Sequence, residues 1–87
     1  MSEIKEAIAG TLESMDCMVT ASEGTGKVEL EGTSVARFRQ AMEKTIGAVI
    51  TSLNAGNVDI RVMDRGALDI TLEARVRTAI LRLRGER

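Results

Sequence analysis

Two short segments in the first third of the chain alternate apolar with polar residues. The alternating positions of the first segment are Met15, Cys17, Val19 and Ala21. The second segment places Val28 and Leu30 between charged neighbours. A period of two predicts strands with one buried face. Because a polar, glycine-containing loop at 22–26 lies between them, we predict that the two strands form a hairpin.

An amphipathic helix is predicted after the second strand. Apolar residues recur at spacings of three and four, at Val35, Phe38, Met42, Ile46, Val49, Ile50 and Leu53. This stripe is typical of a helix that buries one face. Thr33 or Ser34 is a suitable N-cap. The helix is predicted to end at Asn54 to Gly56, because both of these residue types tolerate the left-handed conformation.

The last third of the chain predicts a third strand and a second helix. The strand positions are Val58, Ile60 and Val62. A turn at 64–66 closes the strand. The following residues also fit a strand, but a helical stripe covers a longer stretch, at Leu68, Leu72, Val76, Ala79, Ile80 and Leu83. We therefore favour a helix that begins between Leu68 and Thr71 and ends at Gly85.

These elements predict a single α+β domain over residues 1–87, in the order β-β-α-β-α. The sheet is expected to contain three strands, mainly antiparallel, with both helices packed on one face. Ile4 and Ile8 near the start fit either a helical turn or a loose arm, and the pattern does not decide between them.

The composition excludes most familiar catalytic sites. The chain has no histidine, one cysteine and only 1% aromatic residues, so it lacks Ser/His/Asp and Cys/His sets and the commonest nitrogen ligand of metals. The Gly-Lys segment at 24–27 lacks the upstream glycine of a phosphate-binding loop. Cys17 lies on an apolar strand face, which indicates a buried side chain rather than a reactive thiolate. We predict no catalytic residue, no metal site and no enzyme activity of the chain alone.

The charge distribution is uneven. Residues 1–31 hold seven acidic residues and two lysines, whereas residues 75–87 hold five arginines and one glutamate, and the net charge is -1. Arginines without interleaved aromatics predict a solvated face or an acidic-partner contact rather than nucleic-acid binding. No apolar run is long enough to cross a membrane and no export signal is present, and a single cysteine forms no internal disulfide. We expect a cytoplasmic protein.

Two motifs resemble a known family. Residues 9–16 read Ala-Gly-Thr-Leu-Glu-Ser-Met-Asp and resemble the start of the citrate lyase acyl carrier protein (gamma subunit) family, where Ala-Gly-Thr-Leu-Glu-Ser-Gly-Asp is typical. Residues 64–69 read Asp-Arg-Gly-Ala-Leu-Asp, followed by Glu-Ala-Arg-Val at 73–76, and resemble that family's Asp-Lys-Gly-Ala-Leu-Asp and trailing Ala-Arg. Two motifs in the same order are more specific than either alone, and the resemblance covers nearly the whole chain.

The resemblance implies that Ser14 carries the prosthetic group 2'-(5''-phosphoribosyl)-3'-dephospho-CoA through a phosphodiester. The chain would then be the carrier subunit of a citrate lyase complex, holding acetyl and citryl groups as thioesters. The implied partners are the transferase (alpha) and lyase (beta) subunits, a prosthetic-group transferase and an acetate ligase. Such a carrier needs no histidine, because other subunits supply the acid, base and metal.

The residues next to Ser14 differ from the family pattern at one position, since Met15 replaces the usual glycine. Glu13 and Asp16 flank the serine as solvated charges, and we interpret them as recognition contacts at most for the loading enzyme.

The second motif also has one departure, where Arg65 replaces the usual lysine. Within it, Gly66 is interpreted as turn geometry, Leu68 as core and Asp69 as the cap of the last helix. None of these residues is assigned a chemical role.

Two alternatives remain open for the function. The carrier of citramalate lyase, or more distantly of malonate decarboxylase, would share the arm but serve another substrate. A plain assembly module would instead dock partners through its helix faces and charged ends, with Arg82 and Arg84 as the residues to test.

Overall fold

The computed structural model describes residues 6–85. They form four strands and two helices in the chain order β1 Glu6–Gly10, β2 Cys17–Glu23, β3 Val28–Gly32, α1 Val35–Ser52, β4 Val58–Asp64 and α2 Asp69–Leu83. The predicted α+β class is confirmed, but the sheet has four strands instead of three. The additional strand is β1, which contains Ile8, and Ile4 lies outside the described residues.

β1 carries a weak sequence signal because it is short and contains two alanines, which have little preference for strands. Ala9 is buried opposite Val19 of β2, whereas Ile8 lies on the other face and is 47% exposed. All five residues of β1 pair with β2. Tertiary pairing, rather than a local pattern, therefore defines this strand.

The strand order across the sheet is β1-β2-β4-β3. β2 pairs antiparallel with β1 and with β4, whereas β3 pairs parallel with β4. The predicted hairpin between β2 and β3 is wrong, because β4 lies between them. The loop at 22–26 marks only where the chain turns. Pairing is decided by burial over the whole sheet, and β4, which alternates four buried residues with less buried ones, occupies a central position.

Both helices pack on one face of the sheet, as predicted. α2 contacts β1 and β2, and α1 contacts β3 and α2. The strands contribute the core residues Ala9, Cys17, Val19, Ala21, Leu30, Val58, Ile60 and Val62. The helices contribute Val35, Met42, Ile46, Val49, Leu72, Val76, Ala79 and Ile80. Within residues 6–85, no helix is long and apolar enough to cross a membrane.

The start of α1 differs from the prediction in two details. Ser34 is the N-cap residue, but its side chain makes no capping hydrogen bond. Its backbone amide instead donates to Asp64 Oδ2 at 3.0 Å. Phe38, predicted in the buried stripe, is 49% exposed, and its backbone has the non-helical angles φ -122° and ψ 20°. At the other end, Asn54 has φ +53°, which fits the predicted left-handed stop.

α2 begins within the predicted interval, but its first residues have other roles than expected. Leu68 is the N-cap residue and is 58% exposed, so its predicted place in the core is wrong. It precedes the first helical turn, and the buried face of the helix begins at Leu72. Asp69 is the first helical residue and makes no side-chain capping bond. Gly85 follows the helix with φ +77°, as expected for a stop.

Three connections lie at one end of the sheet, which we call the Ser14 end: 11–16 between β1 and β2, 33–34 between β3 and α1, and 65–68 between β4 and α2. The strand directions bring them together, because β1, β3 and β4 all finish at this end. The opposite end carries the loop at 24–27, which connects two strands; it was predicted at 22–26, but Ser22 and Glu23 belong to β2. Asp59 Oδ1 accepts hydrogen bonds there from three successive backbone amides.

Candidate functional site

Ser14 lies at the tip of a tight turn between β1 and β2. The Asp16 amide donates to the Glu13 carbonyl at 3.1 Å, which closes a four-residue turn with Ser14 and Met15 at its centre. The side chains of Glu13, Ser14 and Met15 are exposed. The serine hydroxyl is therefore presented to solvent at the end of the sheet.

Met15 occupies a backbone position that favours glycine. Its φ is +66°, and the third residue of a turn with positive φ at that place is usually glycine because a side chain strains the left-handed conformation. Met15 is 62% exposed, so its predicted place on the buried face with Cys17 is wrong. β2 begins only at Cys17, so Met15, which was predicted as the first buried position of the strand, belongs to the turn.

The Asp16 carboxylate accepts four hydrogen bonds. Oδ1 accepts from the Cys17 amide at 2.7 Å and from Arg75 Nε at 3.1 Å. Oδ2 accepts from Thr11 Oγ1 at 2.7 Å and from Arg75 Nη2 at 2.9 Å. We call Thr11, Asp16 and Arg75 the Asp16 cluster. The prediction that Asp16 is a solvated charge is wrong, because a helix 59 residues further along the chain supplies its partner.

The ion pair in the Asp16 cluster stabilises both charges. The two hydrogen bonds from Arg75, followed by the one from Thr11, outweigh the effect of burial and hold the pKa of Asp16 well below its usual range. The same contact raises the pKa of Arg75. Asp16 is thus a permanent anion at neutral pH and is engaged within the chain.

Thr11 extends the Asp16 cluster to the residue before the serine. Its hydroxyl oxygen accepts a hydrogen bond from the Glu13 amide at 3.1 Å while its proton is donated to Asp16. Polar contacts thus run from helix α2 through Asp16 and Thr11 to Glu13, next to Ser14. Thr11 and Arg75 lie one in each motif, but neither was predicted to have a role, because their contact with Asp16 forms only in the folded chain.

The second motif meets the first at the same turn. The Met15 amide donates to the Arg65 carbonyl at 2.7 Å, and the Arg65 amide donates to the Asp16 carbonyl at 2.9 Å. Gly66 has φ +93°, and a Cβ placed there would lie 3.9 Å from Met15 Cα. The interpretation of Gly66 as turn geometry is confirmed. Two motifs about fifty residues apart in sequence are therefore in contact around Ser14.

Asp64 holds the other two connections at the Ser14 end. Its side chain is only 1% exposed, and it accepts from the Ser34 and Ala67 amides at 3.0 Å each. Burial alone would raise the pKa of Asp64, but the amide hydrogen bonds outweigh it and lower the pKa. The sequence carried a signal for this role, since an aspartate before a turn often accepts from the amides that follow it.

Gly10 leaves room for this arrangement. Its φ is +97°, and a Cβ there would overlap the Cys17 carbonyl oxygen and lie 3.1 Å from Arg75 Cδ. Any side chain at this position would displace either β2 or the arginine. The glycine of the first motif is therefore required by packing as well as by backbone geometry.

Cys17 has no access to solvent in the folded chain. Burial, followed by the nearby carboxylates of Asp16 and Asp64, raises the pKa of its thiol to about 11. The prediction of a buried small side chain is confirmed. A thiol with this pKa is protonated at neutral pH, so Cys17 is not a nucleophile in the folded protein.

The surroundings of Ser14 fit a covalently attached arm. The hydroxyl is exposed at the end of the sheet, on a loop whose residues from Thr11 to Met15 are all exposed, and the nearest core residues along the chain are Ala9 and Cys17. Five large apolar residues at or near this end are exposed, namely Leu12, Met15, Phe38, Leu68 and Ile70. An attached group can therefore extend into solvent from Ser14 without displacing the core.

Comparison with known proteins identifies the family of the chain. The family model described as Malonate decarboxylase delta subunit (MdcD) matches residues 4–83. The chain is similar to the Citrate lyase acyl carrier protein of Halothermothrix orenii, with 42% identity over 83 residues that cover 92% of this chain and 88% of the relative. It is 38% identical to the protein of that name from Leuconostoc citreum over 80 residues, covering 90% and 82% of the two chains.

The protein of that name from Treponema denticola is 36% identical over 80 residues, which cover 90% of this chain and 91% of the relative. The family model spans residues 4–83 and therefore includes both motifs that meet at Ser14. The chain belongs to the acyl carrier family of citrate lyase acyl carrier proteins and malonate decarboxylase delta subunits.

Proposed function

We propose that this chain is the carrier subunit of a citrate lyase complex and that Ser14 is the attachment point of phosphoribosyl-dephospho-coenzyme A. The observation that carries the proposal is the exposed serine in a turn on which both family motifs converge. When attached through a phosphodiester, the group would supply the thiol that holds acetyl and citryl groups.

The residues around Ser14 support a carrying role rather than a chemical one. Asp16 is engaged with Arg75, and Cys17 is buried and protonated. Neither provides a free base or nucleophile next to the serine. The contribution of the chain is to hold one end of a long arm, which raises the local concentration of the acyl group at the partner subunits.

The partners follow from this role and are part of the proposal. A prosthetic-group transferase would load Ser14, and an acetate ligase would acetylate the arm. The transferase (alpha) and lyase (beta) subunits would then act on the acyl group in turn. The exposed apolar residues at the Ser14 end supply surface for such contacts, because large exposed apolar side chains are common where proteins associate.

Intact-mass spectrometry tests the attachment site. The wild-type chain, co-expressed with its loading enzymes, is expected to gain the mass of one phosphodiester-linked group, and Ser14→Ala should abolish that gain. Ser52→Ala is the matched control, since Ser52 is an exposed serine at the opposite end of the molecule and should leave the adduct intact. A wild-type chain without an adduct would contradict the proposal.

The substrate of the complex distinguishes the nearest alternatives. The family includes malonate decarboxylase delta subunits, and a citramalate lyase carrier would use the same arm. Reconstitution of the loaded chain with purified citrate lyase alpha and beta subunits, and assay with citrate, citramalate and malonate, separates the three. Turnover of citrate alone is the expected result.

The assembly-module alternative uses the helix faces and charged ends, and its test residues are Arg82 and Arg84. Arg82 Nη1 donates to the Ile8 carbonyl at 2.7 Å, and Arg84 Nη2 donates to the Leu53 and Asn54 carbonyls. Both guanidinium groups therefore make contacts within the chain. Charge reversal at either arginine would therefore disturb the fold as well as any docking, and the carrier function rests on the Ser14 turn instead.

A further inference from the structure

We infer that Arg75 is the residue that positions Ser14 for attachment of its group, acting through the Asp16 carboxylate. The inference rests on the proposed function and extends it to the residue that sets the geometry of the serine. Arg75 lies on α2, far from Ser14 in sequence, and does not have to touch the incoming group to have this effect.

Apolar packing holds the loop around Ser14 only weakly. Every side chain from Thr11 to Met15 is exposed. A loop with few buried contacts samples several conformations unless polar contacts restrain it. The shape of the turn therefore depends on its hydrogen bonds, and most of these converge on Asp16.

Arg75 connects this loop to the rigid part of the molecule. Its neighbours on α2, Leu72 and Val76, are buried in the core, which fixes the position of the helix. Within residues 6–85, the Arg75–Asp16 pair has the shortest nitrogen–oxygen distance of the ion pairs, 2.9 Å, and its acid is the least exposed, at 15%. Two-point contact between a guanidinium and a carboxylate fixes orientation as well as distance.

A displacement of Asp16 would move Ser14. The Asp16 amide closes the turn on Glu13, and the Asp16 carbonyl accepts from Arg65, whose own carbonyl accepts from Met15. Asp16 is therefore bonded both to Glu13, before Ser14, and to Arg65, which in turn holds Met15, after Ser14. Without Arg75, Asp16 keeps Thr11 and the Cys17 amide as partners but loses its connection to the helix.

The attachment step is sensitive to such a displacement. The Ser14 oxygen forms a bond to the phosphorus of a donor activated as a phosphoanhydride, the bond from that phosphorus to the leaving phosphate breaks, and the serine proton passes to the loading enzyme. In-line attack requires a defined direction of approach. A mispositioned Ser14 oxygen lowers the rate of attachment within the bound complex more than it weakens binding of the donor.

Arg75→Gln tests the inference in single-turnover loading assays. At saturating donor we expect the attachment rate to fall about tenfold or more, with the half-saturating donor concentration within about twofold of wild type. Arg75→Lys, which keeps the charge but loses the two-point contact, should give an intermediate rate. It also keeps the test available if the glutamine variant does not fold.

Asp59→Ala is the matched control for a general loss of stability. It removes the acceptor of three amide hydrogen bonds in the loop at 24–27, at the opposite end of the sheet. The variant should melt at a lower temperature and still load at the wild-type rate. Equal slowing by Asp59→Ala and Arg75→Gln would show that stability alone governs loading and would overturn the inference.

Amide hydrogen exchange gives a readout that does not depend on loading. In Arg75→Gln, the Met15 and Asp16 amides should exchange faster, whereas the Ile60 amide in β4 should keep its protection relative to global unfolding. If the wild-type chain loads and Arg75→Gln loads equally fast, the inference is overturned while the proposed function stands. A wild-type chain that takes no adduct overturns the proposed function as well.

Discussion

Several residues at the Ser14 end are explained by backbone geometry rather than by chemistry. Gly10 and Gly66 both have positive φ, and Gly10 also faces two close neighbours. Met15 has the same kind of backbone conformation without the freedom of glycine. A glycine after the serine, as in the family pattern that this motif resembles, would adopt the conformation without strain, and Met15 is locally strained there.

Substitution of Met15 measures this strain. Met15→Gly and Met15→Ala both remove an exposed side chain, but only glycine adopts the left-handed conformation without strain. We expect the free energy of unfolding of Met15→Gly to exceed that of Met15→Ala by about 1 kcal/mol. Urea denaturation monitored by circular dichroism is the measurement. Equal stabilities would mean that the backbone at this position relaxes without cost.

At the scale of elements, the contact between the loop at 11–16 and α2 is electrostatic. Helix α2 contributes Arg75 to the loop, and Arg82 donates to β1. Among the described residues of the predicted basic end, Arg75, Arg82 and Arg84 connect the last helix and its C-cap to neighbouring segments. The partners of these arginines could not be predicted, because an ion pair across 59 residues leaves no local pattern in the sequence.

Acid should weaken this connection. The folded pKa of Asp16 is below its ordinary value, so the unfolded chain binds the proton more tightly. The stability from the ion pair is complete above the ordinary pKa of about 3.9 and is lost as the pH falls toward the lowered folded pKa. The difference in unfolding free energy between wild type and Asp16→Asn should therefore be largest above about pH 5 and shrink on acidification.

A double-mutant cycle isolates that effect. In the Arg75→Gln background, Asp16→Asn should change the unfolding free energy much less, and the pH dependence of the difference should flatten. Equilibrium unfolding between about pH 2 and pH 6 provides the data. A cycle energy near zero at all pH values would contradict the assignment of the ion pair as the cause.

For the whole molecule, one face of the sheet carries the core and one end carries the site. The parallel pairing of β3 with β4 brings the start of α1 to the Ser14 end, where Asp64 accepts from both the Ser34 and Ala67 amides. A buried carboxylate with several amide donors is costly to remove, since the amides lose their acceptor. The buried Asp64 thus fixes the connections next to the Ser14 turn, and the adjacent Arg65 bonds directly to that turn.

Cys17 reports on the integrity of this core. Because its thiol is buried and has a pKa of about 11, a thiol-reactive reagent should modify the folded chain very slowly at neutral pH. The rate should rise steeply across the urea unfolding transition. Fast modification of the folded protein would show that the Ser14 end opens locally, and the denatured chain provides the reference rate.

Much of the fold was predictable because its signals are local. The helical stripes of α1 and α2, the alternation in β2, β3 and β4, and the left-handed stop at Asn54 all follow from residues close in sequence. The buried state of Cys17 followed from the same alternation. The motif around Ser14 indicates the family because its residues are contiguous in sequence.

Only the tertiary structure decided which elements meet. The amino-acid pattern determines where the chain turns and which face of an element is apolar, because those properties depend on a few neighbouring side chains. Insertion of β4 between β2 and β3, formation of β1 and the joining of Asp16 to Arg75 depend on the summed burial and pairing of distant segments. Such pairings are selected by the free energy of the whole molecule, so no single window of sequence contains them.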